Sequence, residues 1–287
     1  MITVQLNWFT TDKDFQFFIQ YGGHDEDMDL HKHEDFSELV IVLSGNATHI
    51  VNTEASFIKK GDVFVIDSET LHAYKDPHDF RICNIMYRPE MLRAAGHDLR
   101  TSNGFQAMFV LEPFYRKIQD YKSKLSLPIT NLEYVFSSIA YMIEEYTNKL
   151  QGYQTILTSR FLELVVYLSR QYEGQELQGV QSNLMNLANV MSYIEDHYLE
   201  TLSLEEIASY SGISVRHLNR VFQAYYQTTP FSYIQRLRLE HACSLLKQSS
   251  LSIMEVSLAS GFNDSNYFTR QFTKVMGLSP KKYRQQR

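Results

Sequence analysis

Three histidines and a glutamate in the N-terminal part of the chain have the types and spacing of a ligand-binding cluster. His31 and His33 stand two positions apart in HKHEDFSELV, and residues i and i+2 of a β-strand point to the same face. Glu38 follows in the same stretch, and His72 comes later, in GDVFVIDSETLHAY. Imidazole and carboxylate groups together suit a divalent metal ion. The sequence therefore predicts that these four side chains converge inside a sheet.

A second set of polar side chains lies near the C-terminus, in GFNDSNYFTRQF, residues 261–272. Asn266, Thr269 and Arg270 fall at helical positions i, i+3 and i+4, so they form one stripe. Phe268 and Phe272 lie on the opposite side of the same helix. Such a helix buries its phenylalanines and presents an amide, a hydroxyl and a guanidinium to an external partner.

The charge of the chain is distributed unevenly. The 287 residues include 27 Lys or Arg and 33 Asp or Glu, for a net charge of −6. Residues 201–287 hold 11 of the basic and only 5 of the acidic residues, which leaves 16 and 28 for residues 1–200. A basic module joined to an acidic one is typical of a protein in which one module meets a polyanion.

Composition narrows the class of protein. Apolar residues make up 44% of the chain, which indicates ordinary packed cores in two domains. No apolar stretch reaches the roughly 20 residues that span a bilayer, and the N-terminus has no signal-peptide pattern. Cys83 and Cys243 are far apart and form no CxxC pair, so we expect reduced thiols. These features predict a cytoplasmic protein that does not contact a membrane.

The C-terminal region contains the same pattern twice. In each copy an S-x-x-E capping box starts a short helix, a glycine supplies a turn, two apolar residues mark a second helix, and a cap followed by proline starts a third. The paired positions are Ser203 and Ser252, Glu206 and Glu255, Ser211-Gly212 and Ser260-Gly261, Leu218 and Phe268, Phe222 and Phe272, and Thr229-Pro230 and Ser279-Pro280. A short capped helix, a turn and a longer amphipathic helix make a helix-turn-helix motif. Two copies in register make DNA binding the predicted activity.

One helix is predicted to join the two motifs. Between Pro230 and Leu246, apolar residues recur at helical spacings, for example Ile234, Leu237 and Leu245. A stiff connector would fix the separation of two recognition helices. The two helices could then enter successive major grooves on one face of the duplex, about 34 Å apart.

The C-terminal region resembles the DNA-binding domain of the AraC/XylS family of bacterial transcription regulators. The resemblance covers roughly residues 187–287, and GFNDSNYFTRQFTKVMGLSPKKYR is similar to the signature of the family. It implies that bases are read by Arg216, Asn219 and Arg220 in the first motif and by Ser265, Asn266, Thr269 and Arg270 in the second. Arginine can donate two hydrogen bonds to guanine, and asparagine can pair with adenine. We expect phosphate contacts, which position the protein without specifying sequence, from His217, Lys274, Lys281 and Lys282.

Residues 1–90 contain short runs rich in β-branched and aromatic residues, separated by glycine, asparagine or charged turns. Regular short strands without long helices predict a small β-barrel or a double-sheet roll. The histidine cluster and Gly45 resemble the two signature segments of the cupin fold. Three positions depart from those signatures, because a glycine is replaced by Asp25, and a proline and a glycine are replaced by Asp67 and Glu69.

The front domain resembles most those of the regulators of rhamnose catabolism, from HEDFSELVIVLSGNATHIVN through NIMYRPEML. That resemblance implies a sugar effector in the barrel, hydrogen-bonded by His31, His33, Glu38 and His72. Aromatic faces for a sugar ring are offered by Trp8, Phe36, Tyr74 and Tyr87, and core packing is the alternative role for each of them. Two other interpretations of the cluster stay open. Its groups could satisfy one another and organise the barrel mouth, or the same four side chains could hold a divalent metal; no other cofactor is expected.

Residues 105–172 turn helical. Two apolar stripes at helical spacing consist of Leu132, Val135, Phe136, Ile139, Met142, Ile143 and Tyr146, and of Phe161, Leu164, Val165 and Leu168. In the family that the chain resembles, such helices also pair two subunits, which implies a homodimer. The polar stretch EGQELQGVQSN, residues 173–183, is the predicted linker.

Together these features predict an α+β multidomain protein with a cupin-like effector-sensing β-barrel (1–100), a helical dimerisation segment (101–172), a linker (173–186) and an all-α DNA-binding domain with two helix-turn-helix motifs (187–287). The predicted function is a transcriptional activator of a catabolic operon, not an enzyme. Its predicted partners are double-stranded promoter DNA, a sugar effector, RNA polymerase and a second copy of the chain. One alternative is a cupin-type metalloenzyme with an appended DNA-binding domain, which stoichiometric metal would reveal. Another is a sensor-less regulator that responds only through partner contacts, which a thermal-shift screen against sugars would address.

Overall fold

The runs of β-branched and aromatic residues near the N-terminus form strands, as predicted. The structure, a computed structural model, describes residues 2–12, 14–93, 96–113, 124–175, 180–210 and 212–285. Contacts among Cα atoms divide the chain into two units, Met1–Ala188 and Asn189–Arg287. The strands are β1 (Ile2–Val4), β2 (Phe17–His24), β3 (Met28–His33), β4 (Ser37–Val51), β5 (Glu54–Lys59), β6 (Asp62–Ile66), β7 (His72–Tyr87) and β8 (Leu125–Ser126), with a 3₁₀ turn at Leu6–Trp8.

These strands belong to one mixed sheet that folds back on itself. Its two long strands, β4 and β7, pair antiparallel along most of their length, with register shifts between Val42 and Thr48. On either side of the shifts β4 has different second neighbours, β6 near its start and β5 near its end. The bends enclose a core cluster of Val40, Val42, Ala47, Ile58, Phe64, Ile66, Tyr74, Phe80 and Ile82. The N-terminal unit is therefore the predicted cupin-like fold.

Gly45 lies where β4 bulges against β7. Its φ angle is +65°, and a Cβ atom there would lie 2.1 Å from the carbonyl oxygen of His78. Only glycine adopts this conformation without strain and leaves room for the neighbouring backbone. The glycine of the cupin-like pattern thus permits the bend that closes the sheet.

Helices follow the last long strand. They are α1 (Pro89–Arg93), α2 (His97–Arg100), α3 (Asn103–Phe105), which continues as a π-helical turn (Gln106–Leu111), α4 (Ile129–Asn148) and α5 (Tyr153–Glu173). The segment predicted to be helical, 101–172, also contains β8, which pairs with β6. Ser126 donates a hydrogen bond from Oγ to the buried carboxylate of Asp62 at 2.7 Å. A strand of two residues is too short to produce a detectable sequence period.

The two predicted apolar stripes are largely confirmed. The fully buried residues among them are Leu132, Val135, Ile139, Met142, Phe161, Leu164, Val165 and Leu168, whereas Phe136, Ile143 and Tyr146 are half-buried. The Phe161 ring centroid lies 5.5 Å from that of Phe17 and 4.9 Å from that of Tyr87. Helix α5 therefore packs against one face of the sheet.

The remaining helices are α6 (Val180–His197), α7 (Leu204–Tyr210), α8 (Val215–Tyr226), α9 (Pro230–Gln248), α10 (Ile253–Ala259), α11 (Ser265–Met276) and α12 (Pro280–Arg284). The helix α5 ends at Glu173, where the predicted linker, residues 173–186, begins. The second half of that linker overlaps α6, which begins at Val180. Buried Leu184, Leu187 and Met191 recur at helical spacing, and their packing outweighs the polar residues before them. Residues 176–179 lie outside the described residues, and the predicted domain boundaries stay predictions.

Two expectations from composition can be compared with the structure. Cys83 and Cys243 are free thiols. None of the helices in the described part of the chain has the length and apolar character needed to cross a membrane.

Candidate effector pocket and nucleic-acid interface

The predicted histidine cluster forms in the interior of the folded sheet. His31 and His33 lie on β3, and His72 pairs with His31 from the start of β7. The ligand nitrogens of these three rings all lie within 4.8 Å of one another, and His33 Nε2 and His72 Nε2 are 3.3 Å apart. Glu38 approaches from β4, with one carboxylate oxygen 3.9 Å from His33 Nε2. All four side chains are buried, so the structure brings together the four residues that the sequence selects.

Hydrogen bonding sets the tautomer of His31. Its Nδ1 lies 3.0 Å from the carbonyl oxygen of Asp29, which can only accept, so Nδ1 donates and Nε2 of the neutral ring carries a lone pair. Between His33 and His72, one Nε2 must donate and the other accept. The cluster therefore offers acceptors as well as donors, the combination that a hydroxyl group requires.

Burial removes charge from the cluster. It lowers the pKa of His33 to about 3, with a smaller contribution from His31, and it also lowers the pKa of His31. Burial raises the pKa of Glu38 to about 8, so this carboxyl is mostly protonated at neutral pH. The buried polar residues of the described chain include no lysine or arginine. The site is therefore suited to an uncharged ligand.

The cluster extends to His49, which was not predicted from the sequence. His49 lies on β4 opposite Tyr74 and is fully buried. Its ring stacks on Phe64 with centroids 4.7 Å apart, and its centroid lies 5.8 Å from that of His72. The sequence does contain a sign that His49 is buried. It stands two positions after Ala47 on the same strand, so both side chains point to the same face of the sheet, and both are buried there.

Two of the four aromatic residues predicted for the pocket lie beside the cluster. The Phe36 ring stacks on His33 with centroids 4.3 Å apart, and the Tyr74 ring lies 5.1 Å from His49. Trp8 is 62% exposed, and the ring of Tyr87 packs against Phe161 on α5. The structure therefore does not bring Trp8 and Tyr87 to the cluster, because one faces solvent and the other the helical layer.

The histidine cluster also fits a divalent cation. Zinc is typically bound by imidazole nitrogens about 2.0–2.1 Å away, and three nitrogens within 4.8 Å of one another reach a common point with small ring rotations. His31 already donates its other nitrogen to a carbonyl, as metal-ligating histidines commonly do. His31, His33 and His72 would hold such an ion, and Glu38 would complete the set.

Both helix-turn-helix motifs form as the repeated pattern predicts. The serine and glutamate of each S-x-x-E box exchange reciprocal capping hydrogen bonds at the starts of α7 and α10. Side-chain caps also start the two recognition helices, from Ser214 on α8 and from Asp264 on α11. The equivalent apolar residues are all fully buried, namely Leu218, Phe222, Phe268 and Phe272.

The turns of the two motifs also match. The backbone N–H of Ile213 donates to the Ala208 carbonyl, and that of Phe262 donates to the Ser257 carbonyl, both at 3.0 Å. Ala208 and Ser257 are buried, as expected for small residues at a close helix crossing. Ser211 of the first turn lies outside the described residues.

The polar face of the first recognition helix, α8, presents two arginines. Arg216 and Arg220 are exposed, and within the described residues neither forms a salt bridge. Asn219 is half-buried and donates from Nδ2 to the Val215 carbonyl at 3.0 Å. Arg220 Nη2 donates to His217 Nδ1 at 3.2 Å, and burial together with Arg220 lowers the pKa of His217. The neutral His217 ring thus helps to orient Arg220, and the phosphate contact of His217 stays a prediction.

The second recognition helix, α11, presents a similar face. Asn266 and Arg270 are exposed, whereas Ser265 and Thr269 are half-buried. Thr269 Oγ1 donates to the Ser265 carbonyl at 2.9 Å, so its hydroxyl is already bonded within the helix. Lys274 is exposed in the last turn of α11, and Lys281 and Lys282 are exposed on α12. The structure thus leaves Asn266, Arg270 and the three lysines accessible to a partner.

Comparisons with known proteins assign both units to families. The model of a family described as a cupin domain matches residues 17–85, and that of a helix-turn-helix domain matches residues 207–286. The HTH-type transcriptional activator RhaS of Escherichia fergusonii is 30% identical over 263 residues, which cover 89% of this chain and 87% of that protein. The HTH-type transcriptional activator RhaR of Mannheimia succiniciproducens is 27% identical over 255 residues, covering 89% of this chain and 86% of that protein.

Part of the chain is also similar to a solved structure. The crystal structure of an AraC-type transcriptional regulator from Chromobacterium violaceum is 37% identical, covering 35% of this chain and 90% of that chain, with a TM-score of 0.34. The relatives that match most of the chain are activators, so this protein is a regulator and not an enzyme. The chain belongs to the AraC-type family of DNA-binding helix-turn-helix transcriptional activators that includes RhaS and RhaR.

Proposed function

We propose that this activator works in the cytoplasm and responds to a neutral sugar that binds among His31, His33, Glu38 and His72. The observation that carries the proposal is the uncharged polar cluster in the core of the sheet. A mixture of imidazole acceptors, imidazole donors and a protonated carboxyl recognises hydroxyl groups. The resemblance of the front domain to regulators of rhamnose catabolism favours a sugar over other neutral ligands.

The uncharged surroundings of the cluster favour a neutral sugar over a sugar phosphate. A phosphate group buried beside the cluster would require a cation, because an unpaired buried charge is costly. No lysine or arginine is among the buried residues of the described chain, and burial disfavours protonation of His33. If a divalent ion occupies the histidines, it would supply direct coordination of the sugar hydroxyls.

A ligand screen tests this proposal. Thermal unfolding would be followed with a panel of neutral hexoses, 6-deoxyhexoses, pentoses and polyols, and with their phosphates. A sugar that binds the folded state raises the melting temperature in proportion to the logarithm of its concentration above Kd. We expect the shift in the wild type and in His78→Gln, an exposed histidine of the same unit, and its loss in His72→Gln.

Two outcomes would overturn the sugar proposal. A shift from sugar phosphates alone would contradict the argument from charge. A shift that persists in His72→Gln would place the ligand away from the cluster. Elemental analysis of the purified protein shows separately whether a stoichiometric metal is bound.

We also propose that the accessible faces of α8 and α11 read promoter DNA. The guanidinium groups of Arg216 and Arg220 on α8 can donate hydrogen bonds to guanine O6 and N7, and the side-chain amide of Asn266 can pair with adenine. Support comes from the exposure of Arg216, Arg220 and Arg270 without salt bridges in the described residues. The hydroxyl of Thr269 and the amide of Asn219 would exchange their bonds within the helix for contacts with DNA.

The homodimer proposal rests on one face of α4 and α5, the tyrosine face, made by Tyr134, Tyr141, Arg160, Glu163 and Tyr167. The Tyr134 and Tyr167 rings lie 4.3 Å apart, and the Arg160 guanidinium lies 4.9 Å from the Tyr141 centroid. Glu163 accepts hydrogen bonds from Tyr134 and Arg160 at 3.0 and 2.9 Å. Tyrosine and arginine are enriched in interfaces, and a two-fold axis would place this face against its copy. Activation then requires that the DNA-bound dimer recruit RNA polymerase.

A further inference from the structure

Helix α9 contributes to the cores of both helix-turn-helix motifs. Near its start, Tyr233 packs against Phe222 of the first recognition helix, with ring centroids 5.5 Å apart. Near its end, Leu239, Ala242 and Leu246 belong to the core cluster that contains Phe268 and Phe272 of the second recognition helix. The connecting helix is therefore shared by the two motifs and is not a free spacer between them.

Arg238 lies between these two halves of α9 and binds backbone of the loop that leads into the first motif. Its Nε donates to the Tyr198 carbonyl and its Nη2 donates to the Glu200 carbonyl, both at 2.6 Å. These carbonyls lie just beyond the end of α6, where helices leave backbone acceptors without an internal partner. A guanidinium suits this place because its rigid fork reaches two acceptors at once and its charge complements the helix dipole.

The turn of the second motif packs against the same place. Gly261 has φ of +79°, and a Cβ atom there would lie 2.7 Å from the Leu199 carbonyl oxygen and 2.9 Å from Arg238 Nε. The equivalent Gly212 in the first motif has φ of +65°, and a Cβ atom there would meet nothing within 4 Å. Both glycines satisfy the turn conformation, but only Gly261 also lies in close contact with Arg238 and with the loop that leads into the first motif.

Arg238 is half-buried, and burial lowers its pKa. Its fork binds the loop after α6, and Gly261 in the turn before α11 packs against it. Removing the fork would break two hydrogen bonds and leave a gap beside that turn.

We propose that Arg238 and Gly261 form a junction that fixes the distance and angle between the two recognition helices, and so the spacing of the two DNA subsites that one chain accepts. Arg238 is a positioning residue in this proposal. The inference rests on the proposed base reading by both α8 and α11. Two binding elements held rigidly at the correct separation gain affinity through a high effective concentration, which a loosened junction lowers.

The test uses the full-length chain and a DNA duplex selected by the wild type from a random library. Binding would be measured to the selected duplex, to duplexes with one, two or three base pairs inserted between the subsites, and to a duplex with the second subsite scrambled. We expect Arg238→Met to lose about tenfold affinity for the selected duplex and less than twofold for the scrambled one. The variant should also tolerate insertions that abolish wild-type binding.

Arg236→Met is the matched control. Arg236 lies on the same helix, is exposed and stacks on Tyr233 at 4.9 Å, so its loss changes the charge equally without touching the junction. It should leave the preference for spacing unchanged.

Arg238→Lys, which can donate to one carbonyl but lacks the fork, should give an intermediate preference. If Arg238→Met does not fold by circular dichroism, the lysine variant alone decides the question.

A glycine pair gives a second, independent readout. Gly261→Ala and Gly212→Ala carry similar backbone strain, but only the former collides with Leu199 and Arg238. The proposal expects a relaxed spacing preference in Gly261→Ala alone. Spacing preferences of Arg238→Met and Arg238→Lys identical to that of the wild type would overturn it.

The same measurements separate this inference from the function on which it rests. If Asn266→Ala and Arg270→Ala leave affinity for the selected duplex unchanged and the wild type accepts every insertion, then α11 does not read DNA. If those variants lose affinity while Arg238→Met keeps the wild-type spacing, base reading stands and the junction proposal fails.

Discussion

His33 Nε2 and His72 Nε2 lie 3.3 Å apart in the core of the N-terminal unit, too close for both rings to carry charge. Burial holds the pKa of His33 at about 3, whereas an unfolded chain has a pKa near 6.5 at this residue. A lowered folded pKa contributes stability above pH 6.5, and this contribution is lost as the pH falls towards 3. We expect the free energy of unfolding to decrease by about 1.4 kcal/mol per pH unit from His33 alone.

Urea unfolding followed by Trp8 fluorescence at pH 7, 6 and 5 checks this prediction, because Trp8 is the only tryptophan of the chain. Because Glu38 titrates in the opposite direction over part of this range, the test is the difference between two proteins. His33→Gln lacks the titrating group and should gain stability relative to the wild type by up to about 1.4 kcal/mol per pH unit as the pH falls from 6.5 to 5. A stability difference between the two proteins that stays constant from pH 7 to pH 5 would exclude a lowered pKa at His33.

Glu38 should produce the opposite pH dependence. Its folded pKa of about 8 lies above the unfolded value of about 4.5, so the folded state retains a proton that the unfolded chain releases. The stability from this group is complete below pH 4.5 and is lost as the pH rises to 8. Glu38→Gln should therefore gain stability relative to the wild type by up to about 1.4 kcal/mol per pH unit between pH 5 and 8. Parallel stability curves for the two proteins would exclude a buried, protonated Glu38.

The sequence predicts the fold well where a periodic pattern is long. The capping boxes, the turn glycines and the paired Leu218, Phe222, Phe268 and Phe272 identify both motifs because local chemistry specifies each of these positions. β8 was missed, since its pairing depends on Asp62, far away along the chain. A helix from Val180 was not predicted within the polar stretch, because it depends on the packing of Leu184 and Leu187 and not on local composition.

The candidate pocket was predictable only in part. His31, His33, Glu38 and His72 could be selected because the cupin-like spacing places them on inward-facing strand positions. The direction of a single aromatic ring depends on which layer covers its face of the sheet, and sequence does not reveal this. Tyr87 therefore packs against α5, and the unpredicted His49 takes a place beside the cluster.

Arg220→Ala should weaken specific DNA binding by about 1–3 kcal/mol and relax the preference at one base pair. The guanidinium is exposed and is steadied by His217, so it is oriented before DNA binds. Competition binding with single-base variants of the selected duplex measures this effect. Arg236→Ala, which removes the same charge from the same unit, should leave the base preference unchanged. A uniform loss over all sequences would instead assign Arg220 to the phosphate backbone.

Lys274→Ala should weaken binding to all sequences alike. Lys274 is exposed on the last turn of α11, where an ammonium group can neutralise one phosphate. We expect the slope of log affinity against log salt concentration to fall in magnitude by about one. Titrations at several salt concentrations with selected and scrambled duplexes check this. An unchanged slope would place Lys274 away from the DNA.

Tyr141→Glu should convert the proposed dimer into a monomer. Tyr141 is 45% exposed on the tyrosine face. A two-fold axis through this face would place the new carboxylate of one subunit beside that of the other. Repulsion between the two carboxylates and the cost of burying them would oppose association. Ile129→Glu is the control, since Ile129 is 85% exposed and lies about 120° around the same helix from Tyr141. Light scattering after size-exclusion chromatography gives the mass directly. A dimer that survives Tyr141→Glu but dissociates in Ile129→Glu would move the interface to the other face of α4.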